Sequence, residues 1–481
     1  MIRKLLLLSF IEGAAVMAAE LCGAKLMAPI FGSSLFVWAS VMGFTLAGLA
    51  AGYFCGGYLT QKTSNSGKLL FQLLNLASLT LILMPVISYY LLPRLSYLPF
   101  LSGVVLSTFL LLFPSVFFLG ATSPVFITTQ TINKGDEGKA SGTVYAVSTA
   151  GGILATFLCG FYLIPQIGLN KSLLAFGVVL FIANLVVFKF YKISNFFLLA
   201  IVLYLNLQFI NKASNTIYKQ EGLYGTLTVE DLSFGSSNKV RLLKTNSISQ
   251  TEMNLITGAS ISRYMNILDT LIPDASGNKR ALLLGVGGGL LANILVKKKY
   301  KTDGIELDER IIEVAKKYFF LSKDVNVFHQ DARYFINKTK NKYDVLVVDV
   351  FKGEEPPSHV LTIESLKQIH HFLSHDGIMY INWHGYLSNE IGLGTGVLYN
   401  TLVRAGFYVK LCSSSYNEAY RNLIFVASKR HLPPQYLELN HTPTDISLVN
   451  TDSQPLLEKY NAMANKAWRV NYLRYYQGLN N

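Results

Sequence analysis

The chain has 481 residues, too long for a single hydrophobic core and suited to two or three structural units. Only 15 charged side chains fall in the first 211 residues, whereas the rest of the chain carries 56, the density of an ordinary soluble domain. The net charge of +13 divides as +7 and +6 between the two parts without a basic run, which argues against a nucleic-acid partner.

The first part of the chain, residues 1–212, is predicted to be a bundle of transmembrane helices in a lipid bilayer. A bilayer core of about 30 Å needs roughly 20 apolar residues of helix. The first apolar run is too long for the core of a signal peptide, so no cleavable signal is expected. Seven segments qualify as spans: 5–28, 35–60, 67–92, 98–127, 142–165, 170–189 and 193–210.

Charged side chains in or near the first predicted span leave two interpretations open. Glu12, Glu20 and Lys25 are costly to bury in lipid, and such residues usually have a function, here a cation path or an amine site. The alternative is a hydrogen bond between helices, or a Lys25 side chain that reaches the bilayer surface.

The second part of the chain is predicted to contain a β-hairpin arm over 213–279 and an α/β domain over 280–435. Residues 217–263 alternate between strand-forming residues and Gly or Asn turns, which is typical of antiparallel hairpins. A tail over 436–481 is expected to be loose, with a short helix near 454–467. From residue 280 onward, apolar runs alternate with helical segments, which predicts a doubly wound, mainly parallel sheet of Rossmann type. The predicted strands lie near 280–285, 300–306, 325–328, 343–349, 377–382, 407–412 and 422–427.

A glycine turn after the first of these strands predicts a nucleotide site. In "ALLLGVGGGLLANIL", Gly285, Gly287 and Gly289 let the backbone approach a ligand, and the next helix offers free amide donors. The next strand ends in Glu306, 19 residues after Gly287, where an acid accepts hydrogen bonds from ribose hydroxyls. Asp331, in "HQDARYF", follows the third strand.

Several motifs in both parts of the chain carry a family resemblance. Residues 217–430 include "GLYGTLTVED", "IELDERIIEVAKKYF", "HQDARYF" and "YDVLVVDVF". This region resembles the spermidine synthases, or aminopropyltransferases, within the class of S-adenosylmethionine methyltransferase-type folds. The first part, with "FLGATSPVF" and "YAVSTAGGILATFLCGFYLIPQIGL", is similar to the bacterial subgroup that fuses several membrane helices to this domain.

The resemblance implies a role for each matching side chain. Glu306 would bind the ribose of decarboxylated S-adenosylmethionine, and Asp331 would read the adenine amino group. Asp349 would be catalytic, because the corresponding Asp of the family accepts the proton of the attacking amine. Gln250 and Tyr264 stand at positions that line the donor and acceptor sites. Whether the donor is the decarboxylated compound or S-adenosylmethionine itself stays open.

Two acids of the family's diamine site are missing here. The family's glycine turn contains an Asp where this chain has Gly288, and its fourth-strand motif contains a second Asp where this chain has Lys352. A lysine there would repel a diammonium acceptor. Glu354 and Glu355 either supply the lost charge from a shifted loop or belong to a solvated acidic loop. His359 either touches the site or is a surface residue at a helix start.

The expected chemistry requires no metal ion. The donor is a sulfonium cation and the acceptor an amine, so a carboxylate that takes the amine proton is sufficient. No cluster of His and Cys residues at metal-ligand spacing suggests a metal. The cysteines are expected to be reduced packing residues: Cys22, Cys55, Cys159 and Cys412.

The leading interpretation is a membrane-tethered aminopropyltransferase that acts on a polyamine or related amine. The alternatives are an S-adenosylmethionine-dependent methyltransferase on a membrane-accessible acceptor, and a transporter or sensor whose domain binds the nucleotide without turnover. With seven spans, the loop lysines and arginines place the C-terminal domain outside the cell. Use of a cytosolic nucleotide places it inside, and we expect a multi-pass inner or plasma membrane protein with a cytoplasmic catalytic domain. A homo-oligomer stays open.

Overall fold

The structure is a computed structural model of the chain. The chain divides into two compact units, residues 1–214 with 219–226, and residues 215–218 with 227–481. The described residues are 2–31, 35–131, 137–189, 199–206, 215–222, 224–234, 238–246, 248–351, 357–384, 386–387, 389–418, 421–432 and 447–478.

The first unit is built from helices. Within its described residues, six helices are long and apolar enough to cross a membrane. Of the seventh predicted span, 193–210, only residues 199–206 are described, and they are helical. The helices are α1 (Ile2–Phe31), α2 (Leu35–Lys62), α3 (Ser66–Leu95), α4 (Phe100–Gln130), α5 (Glu137–Leu158, continued by a π-helical turn, Cys159–Leu163), α6 (Ile164–Ile167), α7 (Leu169–Phe188) and α8 (199–206).

Glycines allow α1 and α5 to pack with their backbones in contact. A Cβ atom on Gly13 would lie 2.0 Å from the carbonyl oxygen of Ser148, and one on Gly151 would lie 2.0 Å from that of Phe10. Because neither position has room for a side chain, any other residue would force these helices apart. This is the packing by small residues that is common between helices in lipid.

The second unit begins with a small antiparallel sheet. Its four strands follow one another in the order β1-β2-β3-β4, and β3 pairs antiparallel with both β2 and β4. A helix, α9 (Arg263–Leu271), leads from this sheet to the α/β domain. The strands are β1 (Thr216–Gln220), β2 (Leu227–Phe234), β3 (Asn238–Thr245) and β4 (Ile248–Asn254).

The α/β domain contains a seven-stranded sheet in the order β10-β11-β9-β8-β5-β6-β7. Strands β5 to β9 are parallel, whereas β11 runs antiparallel to β9 and β10 antiparallel to β11. The chain order reverses between β5 and β8, where open sheets of this kind bind their ligands. The doubly wound prediction is confirmed. The strands are β5 (Arg280–Leu284), β6 (Lys301–Glu306), β7 (Asn326–His329), β8 (Tyr343–Val348), β9 (Leu373–His384), β10 (Tyr408–Ser413) and β11 (Asn422–Ser428).

Helices connect the strands of this sheet. Their apolar residues join two buried clusters with the strands, so the sheet lies inside the domain. The helices are α10 (Leu290–Lys297), α11 (Glu309–Tyr318), α12 (Ala332–Lys338), α13 (Ile363–Phe372), α14 (Leu393–Arg404) and two short 3-10 turns, Ser358–Val360 and Glu390–Gly392.

The C-terminal helix differs from its prediction. It is α15 (Leu457–Gly478), which is longer than the predicted 454–467, and it packs against α14. Leu457, Asn461, Asn465 and Arg469 are all buried. Three of these four residues are polar, so the sequence lacks the apolar stripe that reveals a packed helix. The last part of the chain is therefore not a loose tail where it is described.

Candidate active site

The glycine turn joins β5 to α10 at the carboxyl edge of the large sheet. Gly285, Gly287 and Gly289 all have positive φ angles, of 86°, 53° and 81°. The N–H of Gly285 donates to the carbonyl oxygen of Ile305 at 2.9 Å. A Cβ on Gly285 would lie 2.3 Å from the carbonyl oxygen of Asp349, so only glycine lets the turn approach the end of β8 this closely.

Glu306 ends β6 and is buried against the glycine turn. One carboxylate oxygen accepts hydrogen bonds from the N–H groups of Val286 (3.1 Å) and Gly287 (3.3 Å). The other oxygen accepts from Leu307 (2.9 Å) and Asp308 (3.1 Å). Burial raises the pKa of Glu306, and these backbone bonds oppose that rise. Glu306 therefore holds the turn itself, and a ribose hydroxyl would share its oxygens with backbone amides.

Asp331 follows β7 and caps α12. Its Oδ1 accepts from the N–H of Tyr334 at 2.9 Å, and its Oδ2 lies 3.6 Å from Nε2 of His359. The N–H of Gln330 donates to the carbonyl oxygen of Glu306 at 3.0 Å, which brings Asp331 to the same edge of the sheet as Glu306. His359 is exposed and stands beside this edge. The structure therefore brings together two side chains that the sequence proposed separately.

Asp349 follows β8 and is held by two side chains. The hydroxyl of Tyr264 donates to Oδ2 at 3.0 Å, and Nδ2 of Asn382 donates to Oδ1 at 2.7 Å. Burial raises the pKa of Asp349, and the bonds from Asn382 and Tyr264 lower it in part. Burial and then the charge of Asp349 raise the pKa of Tyr264 well above its usual value, so its hydroxyl stays protonated and keeps donating. The carboxylate is therefore fixed in orientation and receptive to a proton.

The small sheet reaches the glycine turn through β4. Oγ1 of Thr251 accepts from the N–H of Gly288 at 2.8 Å. A Cβ on Gly288 would lie 2.6 Å from the methyl group of Thr251. Gln250 precedes Thr251 on β4 and is half-buried. Thr251 thus occupies the space next to position 288, where the family resemblance implies an acid and this chain has glycine.

Three residues of the acceptor prediction fall outside the described part of the chain. They are Lys352, Glu354 and Glu355, which lie between residues 351 and 357. Among the described residues, no group of three His, Cys, Asp or Glu side chains is placed to hold a metal ion.

The sequence did not identify Asn382, which is one of the two residues that hold Asp349. Asn382 is buried, and its Oδ1 accepts from Nδ2 of Asn422 at 2.9 Å. The available signal was a polar residue inside the apolar strand "IMYINWH". Strands β8 and β9 are parallel, and Val348 pairs with Ile381. The next residues along the chain, Asp349 and Asn382, are therefore neighbours.

The matched family covers the part of the chain that holds these residues. Residues 266–388 match the family described as "Spermine/spermidine synthase domain". The matched range contains Glu306, Asp331 and Asp349. The chain therefore carries a domain of spermidine synthase type.

Curated relatives include both aminopropyl and methyl transferases. The polyamine aminopropyltransferase of Vibrio vulnificus is 32% identical over 111 residues, which cover 22% of this chain and 37% of that protein. The N-terminal histidine N-methyltransferase of Emericella nidulans is 32% identical over 122 residues, or 24% of this chain and 22% of that protein. The chain thus spans about a fifth to two fifths of the length of these relatives.

Solved structures of spermidine synthases align with the chain at low similarity. The probable spermidine synthase of Corynebacterium glutamicum is 19% identical, with a TM-score of 0.39 over 46% of this chain and 82% of that one. The spermidine synthase of Thermotoga maritima is 17% identical, with a TM-score of 0.37 over 52% of this chain and 88% of that one. The strand order of the large sheet defines the fold of the α/β domain.

Proposed function

We propose that this chain is a membrane-tethered aminopropyltransferase of spermidine synthase type. It moves an aminopropyl group from decarboxylated S-adenosylmethionine to a polyamine or related amine. The observation that carries the proposal is the carboxylate of Asp349, held at the sheet's carboxyl edge by Tyr264 and Asn382. This carboxylate belongs to a domain that matches the spermine/spermidine synthase family.

The proposed reaction needs a proton acceptor beside the amine. The amine nitrogen attacks the propyl carbon attached to sulfur, the new C–N bond forms, and the C–S bond breaks. Sulfur leaves as the neutral thioether methylthioadenosine, so its positive charge passes to nitrogen. Asp349 takes the proton that the nitrogen releases. Burial raises the pKa of Asp349, which makes its carboxylate a stronger base than an exposed one.

The donor pocket is proposed at the glycine turn. The backbone at Gly285 and Gly287 takes positive φ angles, and at Gly285 it packs closely on the carbonyl oxygen of Asp349, so the turn lies beside the proposed base. Glu306 presents a buried carboxylate next to this turn, and Asp331 stands at the adjacent strand end. These groups fit the ribose and the adenine of an adenosyl donor.

Methyl transfer from S-adenosylmethionine is the second candidate. Its support is the match to the N-terminal histidine N-methyltransferase of Emericella nidulans. The sequence identity of that match, 32%, is the same as for the Vibrio enzyme. Gly288, which stands where the spermidine synthases carry an acid, also weakens the case for a diamine acceptor. The two donors share the adenosyl group, so the pocket at the glycine turn suits both.

The tether is proposed from the six apolar helices of the first unit. Glu12 is buried in α1, and its Oε2 accepts a hydrogen bond from the hydroxyl of Ser148 on α5 at 3.0 Å. This contact favours a hydrogen bond between helices over a transport path. Extraction of cell membranes with alkaline carbonate tests the tether. We expect the full chain to stay in the membrane pellet, and its release into the supernatant would contradict the tether.

Product analysis tests the chemistry. Purified full-length protein is incubated with each donor and a panel of amines, and the sulfur product is identified by mass spectrometry. We expect methylthioadenosine from decarboxylated S-adenosylmethionine. S-adenosylhomocysteine from S-adenosylmethionine would favour methyl transfer instead, and the absence of both products would favour a nucleotide-binding transporter or sensor.

A further inference from the structure

A series of hydrogen bonds runs from Asp349 across the neighbouring strands to His384. Nδ2 of Asn382, on β9, donates to Oδ1 of Asp349 at 2.7 Å. Nδ2 of Asn422, on β11, donates to Oδ1 of Asn382 at 2.9 Å. The same nitrogen of Asn422 lies 3.4 Å from Nδ1 of His384. We call these four residues the Asp349 network.

The sheet brings the members of the Asp349 network to one face. Asn422 and His384 are directly paired residues of the antiparallel strands β11 and β9. Asn382 lies two residues before His384 on β9, and residues two apart on a strand project to the same side. The register of β8 and β9 places Asp349 beside Asn382. The backbone pairing of three strands therefore determines which side chains meet.

The two amides of the Asp349 network have one orientation that satisfies all their neighbours. A carboxylate only accepts hydrogen bonds, so Asn382 must turn its NH₂ group toward Asp349. The oxygen of Asn382 then faces Asn422, which must donate in turn. The NH₂ group of Asn422 has two hydrogens and two acceptors within reach, Oδ1 of Asn382 and Nδ1 of His384. Nδ1 of His384 is therefore the unprotonated nitrogen, and the ring proton is on Nε2.

The surroundings of His384 keep its Nδ1 in this accepting form. The rings of Phe351 and Trp468 lie against the imidazole, with centroids 4.5 and 4.3 Å from its own. Burial lowers the pKa of His384 to about 3, so its ring is neutral at physiological pH. Both ends of the network, a carboxylate and a neutral imidazole nitrogen, therefore require the same orientation of the amides between them.

The opposite orientation would work against the proposed base. If the amide of Asn422 turned its oxygen toward Asn382, the amide of Asn382 would have to reverse as well. Asn382 would then present its oxygen to the carboxylate of Asp349, and this contact is repulsive. The NH₂ contact in the structure instead lowers the pKa of Asp349 and opposes the effect of burial. The network thus decides whether Oδ1 of Asp349 faces a donor or an acceptor.

We infer that Asn422 and His384 are positioning residues of the proposed reaction, which act through Asn382 to hold a hydrogen-bond donor against Asp349. The inference rests on the proposed function, since Asp349 is the base of that reaction. Asn422 acts through the amide of Asn382, and His384 acts through that of Asn422.

Substitution of Asn422 by Leu tests the inference. Leu carries two methyl groups where Asn carries its oxygen and nitrogen, so the shape is kept and the donor is lost. We expect the acidic limb of the kcat/KM profile for methylthioadenosine release to move about 0.5–1 pH unit higher, a threefold to tenfold loss at acidic pH. The plateau at higher pH should stay near the wild-type value. A profile that falls equally at every pH would mean a structural role and would overturn the inference.

Asn400→Leu is the matched control. Asn400 is half-buried like Asn422, and its Nδ2 donates to the carbonyl oxygen of Leu448 at 2.9 Å. Its substitution should lower the melting temperature and leave the acidic limb in place. A limb that moves equally in both Asn variants would overturn the inference.

The other groups that face Asp349 are the same in all these variants. Tyr264, on α9, donates to Oδ2 at 3.0 Å, and the charge of Glu252, on β4, acts on Tyr264. Because the substitutions leave both residues in place, a change in the titration of Asp349 reports on the network.

Two variants of His384 separate positioning from packing. His384→Phe keeps a ring between Phe351 and Trp468 but has no acceptor. Its acidic limb should move in the same direction as in Asn422→Leu, and by less because the contact of 3.4 Å is long. His384→Asn loses the ring but keeps an oxygen on Cγ, where histidine has Nδ1. It should melt at a lower temperature and keep its limb near the wild-type position. The reverse pattern would overturn the role of His384.

Unfolding measurements separate the inference from the proposed function, because they need no turnover. The melting temperature of Asp349→Asn relative to its parent is measured across pH, with the wild type and with Asn422→Leu as parents. Burial raises the pKa of Asp349 in the folded chain, so this difference rises as pH passes from the unfolded to the folded pKa. We expect the rise to extend about 0.5–1 pH unit further in the Asn422→Leu background.

The two readouts give distinguishable outcomes. The extended rise without any methylthioadenosine release would support the positioning role and overturn the proposed function. Release by the wild type, with neither an extended rise nor a shifted limb in Asn422→Leu, would support the proposed function and overturn the inference.

Discussion

Replacement of Asp349 by Asn removes the proposed base and little else. An Asn side chain can direct its oxygen to Nδ2 of Asn382 and its NH₂ group to the hydroxyl of Tyr264, which also accepts hydrogen bonds. Both contacts of the carboxylate, at 2.7 and 3.0 Å, can therefore persist in the variant. A general base contributes about two to four orders of magnitude to rate, or about 2.7–5.4 kcal/mol of barrier at roughly 1.36 kcal/mol per tenfold. We expect turnover to fall by that factor.

The replacement of Asp349 by Asn should also change how the stability of the chain depends on pH. Burial raises the pKa of Asp349 in the folded chain above its unfolded value of about 3.9. The favourable contribution of this carboxyl is thus complete below the unfolded pKa and is lost as pH rises through the folded pKa. The Asn side chain in Asp349→Asn does not titrate. Its melting temperature, relative to that of the wild type, should therefore rise as pH increases from the unfolded to the folded pKa of Asp349. At neutral pH, the variant should be at least as stable as wild type.

The assay measures methylthioadenosine release under single-turnover conditions, with nucleoside affinity and melting temperature as controls. A variant with near wild-type turnover would remove Asp349 from the mechanism. A variant that loses stability at neutral pH in proportion to its rate would mean that Asp349 is a loop cap and not a base.

Two further substitutions test the surroundings of Asp349. The hydrogen bond from Tyr264 lowers the pKa of Asp349, so Tyr264→Phe should raise that pKa and shift the acidic limb of the kcat/KM profile to higher pH. A limb that stays in place or moves to lower pH would contradict this role of Tyr264. Gly288→Asp should lower the melting temperature, since its Cβ would lie 2.6 Å from the methyl group of Thr251 and overpacking costs about 1–3 kcal/mol. Thr251→Ser removes that methyl group and keeps the Cβ and the hydroxyl, both 3.0 Å from the added Cβ, so the double variant should regain part of the loss; failure to regain any would show that the methyl group is not the obstacle.

Elements with strong local patterns were predictable from the sequence. Strands β5 and β8 are apolar runs of strand length in the sequence. The glycines after β5 indicated a tight turn, and three of them take the positive φ angles that other residues rarely adopt. Glu306 stood out because it ends the next strand at a fixed distance from the glycines. The sequence did not show that its carboxylate binds the turn itself, since that depends on amides 19 and 20 residues away.

Contacts between distant parts of the chain could not be predicted. Asn382 meets Asp349 only because β8 and β9 are parallel neighbours with a defined register. Trp468 stacks on His384, the last residue of β9, from a helix whose buried face is partly polar, so its packing leaves no apolar stripe in the sequence. The interaction of Thr251 with Gly288 likewise requires the small sheet to lie against the glycine turn.

The central claim is that this domain transfers an aminopropyl group and uses Asp349 as the base. Its most direct test quantifies both products of one reaction between decarboxylated S-adenosylmethionine and an amine. The account predicts equal amounts of methylthioadenosine and of the amine that carries a new aminopropyl group, and it predicts that Asp349→Asn loses both. S-adenosylhomocysteine from S-adenosylmethionine as the sole product, or no product from either donor, would contradict the claim.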